Sequence, residues 1–119
     1  MATAKCEIAG FEGVTVEWPD EFTMRHESIY RRGQDRAWSA FRDSVKDGEG
    51  DESLIPSGAE MVAFGVFQLA TVTGLDIDLK ALTINGLWDL PRHYSGVLGW
   101  IANTVGAAYQ RSGEVPKNS

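Results

Sequence analysis

Ser57-Gly58-Ala59-Glu60-Met61-Val62-Ala63-Phe64-Gly65-Val66-Phe67-Gln68-Leu69-Ala70-Thr71-Val72-Thr73-Gly74 is the stretch on which the fold turns. Ser57 and Glu60 form a Ser-x-x-Glu capping box, whose side chains satisfy amides that a helix start leaves unpaired. Gly74 stands where a C-terminal glycine is expected, so the spacing predicts a helix over about 58–73. Met61, Val62, Phe64, Val66, Phe67, Leu69 and Val72 cover nearly its whole circumference. A helix that is apolar all round is a core helix or half of an interface. Gly65 and Gln68 interrupt the run, which is too short to span a bilayer.

The neighbouring segments fall into place around it. On the N-terminal side, Asp47-Gly48-Glu49-Gly50-Asp51-Glu52 holds four acids and two glycines and reads as a mobile surface loop extending to Gly58 around Pro56. Before it, residues 23–46 predict a helix with Thr23 or Asp20 as N-cap. Tyr30, Gln34, Ala37/Trp38, Phe41 and Val45 recur on one face, and Gly33 weakens the helix by about 1 kcal/mol relative to alanine, enough to allow a break. Residues 7–18 read as strand, since Val14, Val16 and Trp18 alternate with Thr15 and Glu17. Gly10 or Gly13 is placed to turn the chain from an earlier strand around Cys6–Phe11, and Pro19-Asp20 ends the strand.

On the C-terminal side, residues 75–92 read as an ordered connector. Leu75, Ile77 and Leu79 alternate with Asp76 and Asp78 as in a short strand or the start of a turn. Asn85-Gly86 is a turn signal, Pro91 bars a helix, and Leu87, Trp88 and Leu90 are expected against the core. A last helix over about 94–111 carries two stripes. Tyr94, Leu98, Ile101, Val105 and Ala108/Tyr109 are bulky, and Ser95, Gly99, Ala102 and Gly106 are small. The small stripe admits another backbone closely, either inside the monomer or at a subunit contact. The expected architecture is α+β and predominantly α: a short N-terminal β-hairpin, then three main helices. With 119 residues and 43% apolar side chains, this is one globular domain over 1–112 with a flexible tail over 113–119.

Charge is unevenly spread. Residues 25–46 hold six of the eleven basic residues and three acids, about +3, which leaves the rest of the chain near −9 against a total of −6. A net negative chain is a poor general nucleic-acid binder. The basic face is a solvated helix surface with local pairs such as Glu27–Arg31, or one half of a contact between copies. In the second case Arg31, Arg32 and Arg36 face an acidic surface such as Asp47, Glu49, Asp51 and Glu52 of a neighbour, with Gly99, Ala102 and Gly106 as further contacts. Head-to-tail contacts of this kind that do not close give helical arrays.

Several chemistries lack their residues. Two histidines, His26 and His93, and one cysteine, Cys6, give no metal-ligand spacing, and each histidine reads as a surface or capping residue. An EF-hand loop counted from Asp47 needs glycine sixth and glutamate twelfth, where Glu52 and Gly58 stand. There is no Gly-x-Ser-x-Gly and no phosphate loop, and the Asp76/Asp78 pair reads as solvated. Cys6 reads as an inert small side chain. Residues 1–20 lack an apolar run after a basic start, so no signal peptide is expected and a cytosolic protein is the default. No enzyme, cofactor or metal is expected from these residues.

With the elements in this order, the chain resembles the tail assembly chaperones of siphophages and their prophages, the lambda-like minor tail assembly proteins. Gly10-Phe11-Glu12-Gly13-Val14-Thr15-Val16-Glu17-Trp18-Pro19-Asp20 is similar to that family's opening strand with its Pro-Asp step before the first helix. The apolar middle helix leads into a Leu/Thr/Pro connector, here Leu79 to Pro91. The last helix with Leu98, Trp100 and Tyr109, then Glu114-Val115-Pro116-Lys117-Asn118, looks like the family's C-terminal signature. The connector departs from the pattern in having fewer prolines and in Trp88. The resemblance implies a non-catalytic adaptor that binds the tape measure protein, shields its apolar surface, self-associates and leaves before the virion is complete. It implies action in the cytoplasm of the infected bacterium, with no nucleic-acid or membrane partner. In many members a backward ribosomal slip appends an extension that recruits the tail tube protein. Val-Pro-Lys and Pro-Lys-Asn are compatible with slippery codons. Two other readings stay open: a structural virion protein such as a head–tail connector or tail completion protein, and a small regulatory binding module or enzyme.

Overall fold

The computed structural model describes residues 1–48 and 53–115. The chain is α+β: a short N-terminal antiparallel hairpin, to which a third strand is added, and several helices, three of them long. Strands β1 (Ala2–Lys5), β2 (Thr15–Trp18) and β3 (Thr71–Thr73) form an antiparallel sheet in the order β1-β2-β3. Its helices are α1 (Met24–Lys46), α2 (Gly58–Phe67), a five-residue α3 (Ile84–Trp88) and α4 (Ser95–Ser112), the last entered through a 3-10 turn over Arg92–Tyr94.

The register explains the sheet. Ala4 pairs with Val16 and Val16 with Val72, so small and β-branched apolar residues share one face. Thr3, Glu17 and Thr71 align on the other. One covered and one wet face is the usual state of an antiparallel sheet, and Val16 at its centre is fully buried. The hairpin differs from the sequence expectation. Strand β2 is four residues long, and its partner is Ala2–Lys5 rather than a segment around Cys6–Phe11. Residues 6–14 instead form a loop closed by Cys6 N donating to the Val14 carbonyl at 2.9 Å. Gly10 turns it with a positive φ of 88°, its amide donating to the Glu12 carboxylate. Cys6 itself is buried in the core.

Helix α2 is shorter than expected. It starts at the Ser57/Glu60 capping box but ends at Phe67, and Thr71-Val72-Thr73 leaves it to become β3. Two β-branched threonines flanking an inward valine favour the pleated surface of β2 over another helical turn. Gly74 therefore ends a strand, not a helix. Its φ is +85°, and a Cβ there would lie 2.1 Å from the Gly13 carbonyl oxygen. The connector also differs: Leu75–Leu79 forms no strand, and Asn85-Gly86 lies inside α3, where Thr83 Oγ1 caps the Gly86 amide at 3.0 Å. Leu87, Trp88 and Leu90 are half-buried against the core, as their apolarity requires.

Helix α1 runs unbroken through Gly33, about 34 Å long at 1.5 Å per residue. Gly33 is a contact, not a hinge. A Cβ on it would lie 2.7 Å from the Phe64 carbonyl oxygen and 3.4 Å from Gly65 Cα. Gly65 answers from α2, where a Cβ would lie 2.5 Å from the Tyr30 ring. The two glycines let α1 and α2 cross closely. Helix α2 packs on α4 as well, so it is the element shared by both long helices. Val97, Ile101 and Val105 of α4 are fully buried in the same core as Phe64, Val66 and Phe67 of α2 and Val14 and Val16 of the hairpin.

Candidate functional site

The described surface carries an open groove of about 1110 Å³. The first turn of α1, the outer side of α2 and the C-terminal half of α4 enclose it. Its floor follows from small residues on α4. Ala102 and Gly106 are half-buried, and a Cβ on Gly106 would sit 3.5 Å from Val66 Cγ2 of α2. Part of its lining is aromatic. Tyr30 of α1 lies over Gly65 and stacks on Tyr109 of α4, with ring centroids 4.8 Å apart and planes at 24°. Phe22 meets Tyr109 edge-on at 5.4 Å.

The rim is both apolar and acidic. Met24 is 77% exposed and Val62 is 45% exposed, two of the large apolar side chains left in water by the described fold. Glu21 and Glu27 line the same groove, and among the described residues no lysine, arginine, histidine or cysteine does. Glu27 accepts from Arg31 at 3.3 Å, an i,i+4 pair whose guanidinium side is largely exposed. Such a pair contributes only a few tenths of a kcal/mol, so the Glu27 carboxylate remains open to a second cation. Burial pushes the Tyr30 hydroxyl above its ordinary range. Burial, then the negative charge of Glu27 and the neighbouring Tyr30, does the same to Tyr109 against an opposing pull from Arg31. Both rings stay neutral at physiological pH, and the Tyr30 hydroxyl accepts from Gln34 Nε2 at 3.3 Å.

The residues singled out from the sequence divide. Ala102 and Gly106 come together in the groove. Gly99 does not: it is exposed, with open space around any Cβ. Arg31 pairs with Glu27, Arg36 donates to the Lys80 carbonyl at 3.4 Å, and Arg32 is exposed on the outer face of α1 with no partner among the described residues. Asp47 is the exposed C-cap of α1. Glu49, Asp51 and Glu52 lie outside the described residues. Thr23 proves to be the N-cap of α1, and His26 completes the cap by accepting from its amide through Nδ1 at 2.9 Å.

Phe22, Met24 and Glu21 were not singled out from the sequence, because they stand before α1 or at its first residue and are brought to α4 only by tertiary packing. The signal that was available is Val62, an apolar residue of α2 left exposed while Phe64, Gly65, Val66 and Phe67 of the same helix are buried. Among the described residues no cluster of three histidine, cysteine or carboxylate side chains could hold a metal, and no helix is long and apolar enough to cross a membrane. Comparison with protein-family models, with curated proteins and with solved structures finds no match.

Proposed function

We propose that this chain is a non-catalytic tail assembly chaperone of the siphophage type. In this reading it holds the tape measure protein in the host cytoplasm while the tail tube assembles, and is absent from the finished virion. The groove between α1, α2 and α4 is the observation that supports the reading most. It is wide, floored by alanine and glycine, rimmed by exposed apolar side chains, and lined by no nucleophile–base pair. A helix-in-groove surface of this kind binds a helical client reversibly by its apolar face. The resemblance of the opening strand, the connector and the closing helix to that family supplies the client's identity. Self-association through the basic outer face of α1 belongs to the same proposal, as does recruitment of the tail tube protein by a longer, slipped form.

Co-expression with the cognate tape measure protein tests it. Soluble tape measure protein in the presence of the chain, and aggregated protein in its absence, is the expected result. A tape measure protein that stays insoluble in both would refute the reading. So would finding the chain as a stoichiometric component of purified virions.

A further inference from the structure

We propose that the groove between α1, α2 and α4 receives an amphipathic helix of about three turns whose apolar stripe is edged by lysine or arginine. This rests on the reading of the chain as a holder of a helical client and adds where the client binds and what chemistry is recognised. Length comes from α4: the lining runs from Ala102 to Gly113, eleven steps of a helix, or about 16 Å. Close approach comes from Ala102, with its small side chain, and Gly106, with none, which let a partner's apolar side chains come down onto α4. Anchoring comes from Met24 and Val62, which stand in water in the free chain and would be covered by the partner's apolar stripe.

The sign of the edge follows from charge. The ends of two helices open on the groove, the N-terminal turn of α1 and the C-terminal turn of α4. Their partial charges are opposite and largely cancel. Side chains then decide, and among the described residues the lining holds the carboxylates of Glu21 and Glu27 and no basic residue. A partner with cationic edges is attracted, and one with acidic edges meets two like charges. Among the basic residues of α1, Arg31 pairs with Glu27, and the exposed Arg25, next to Met24, makes no ion pair with either carboxylate; Arg32, Arg36, Arg42 and Lys46 lie farther along the helix.

The test uses two labelled synthetic helices with the same Leu/Ala stripe, one edged with lysine and one with glutamate, read by fluorescence anisotropy against the full chain. The lysine-edged helix is expected to bind about tenfold or more tightly at low salt, with the difference shrinking at about 1 M salt. Glu21→Lys with Glu27→Lys should reverse the preference. Ala107→Trp fills the groove from an exposed position and should weaken binding at least about tenfold with an unchanged melting temperature. Val62→Lys should do the same by replacing an apolar anchor with a charge that repels the lysine edges. Trp38→Ala, on the far half of α1, should leave binding as it was. Equal binding of both helices, or full binding by the Ala107→Trp and Val62→Lys chains, would overturn the assignment. If the tape measure protein is kept soluble by the Ala107→Trp chain as well as by the native one, the groove is refuted and the chaperone reading stands. If the native chain fails to keep it soluble yet binds the lysine-edged helix, the groove stands and the chaperone reading falls.

Discussion

Replacing Gly33 by alanine and Gly99 by alanine is the same chemical change in two helix interiors, and the structure gives the two opposite signs. By intrinsic propensity each substitution stabilises a helix by about 0.8–1 kcal/mol. At Gly99 nothing lies within 4 Å of the new Cβ, so that gain should appear nearly whole. At Gly33 the Cβ would stand 2.7 Å from the Phe64 carbonyl oxygen and 2.7 Å from Gln68 Cγ. Gln68 can swing aside; a backbone carbonyl inside α2 cannot. Ordinary contact therefore requires α1 and α2 to separate by several tenths of an ångström at their crossing. A radial gap of 0.5–1 Å forfeits roughly a quarter to a half of each dispersion contact it opens, and overpacking of this sort costs about 1–3 kcal/mol. Set against the propensity gain, this cost leaves Gly33→Ala destabilised by up to about 2 kcal/mol net. Urea unfolding followed by far-UV circular dichroism reads both. With a slope of about 1–2 kcal/mol per molar, the two midpoints should move apart by about 1–2 M. A Gly33→Ala chain as stable as Gly99→Ala would refute the close crossing of α1 and α2.

Three further outcomes follow from contacts already described. Glu60→Ala removes an acceptor from the Ser57 amide and from Trp88 Nε1 together; it should cost about 2 kcal/mol in urea unfolding, with the Trp88 emission shifted to the red, and a loss below about 0.5 kcal/mol would show that the bridge is not held. The raised tyrosine pKa values mean that the unfolded chain gives up those protons first, so stability is full below about pH 10 and falls as pH rises through the tyrosine range. The fall should be smaller in a Tyr30→Phe, Tyr109→Phe chain, and an equal fall would show that these hydroxyls are not shielded. If the exposed basic face of α1 drives self-association, raising salt should shift sedimentation toward smaller species, and oligomers unchanged at about 1 M salt would exclude it.

Local chemistry made much of the fold legible. The Ser57/Glu60 box and Thr23 located two helix starts because capping is written within four residues. Alternation in Val14-Thr15-Val16-Glu17-Trp18 located the central strand. What escaped depends on partners distant in the chain. Gly33 looked like a weak point because its meaning lies thirty residues away, in the carbonyl of Phe64. Thr71–Thr73 continued the apolar character of α2 and was absorbed into that helix, since only pairing with Val16 distinguishes it. The small stripe on α4 was visible, but its division was not: Gly106 and Ala102 face the groove, while Gly99 faces water. Among the described residues, the acidic side of the groove comes from Glu21 and Glu27.

The placing of β3 has a consequence for the order in which the chain folds. Strands β1 and β2 are near neighbours, but β3 joins β2 across more than fifty intervening residues. Closing so long a loop costs about 3–4 kcal/mol in chain entropy, more than a pairing of three residues returns. The third strand therefore cannot arrive by itself. It is tied to α2 by only Gln68, Leu69 and Ala70, and is delivered when α2 docks on α1. Until then the hairpin is a two-stranded ribbon, a form that is marginal in water. Amide hydrogen exchange along β2 should thus rise and fall with the α1–α2 crossing, so the sheet at one end of the molecule registers what happens between two glycines.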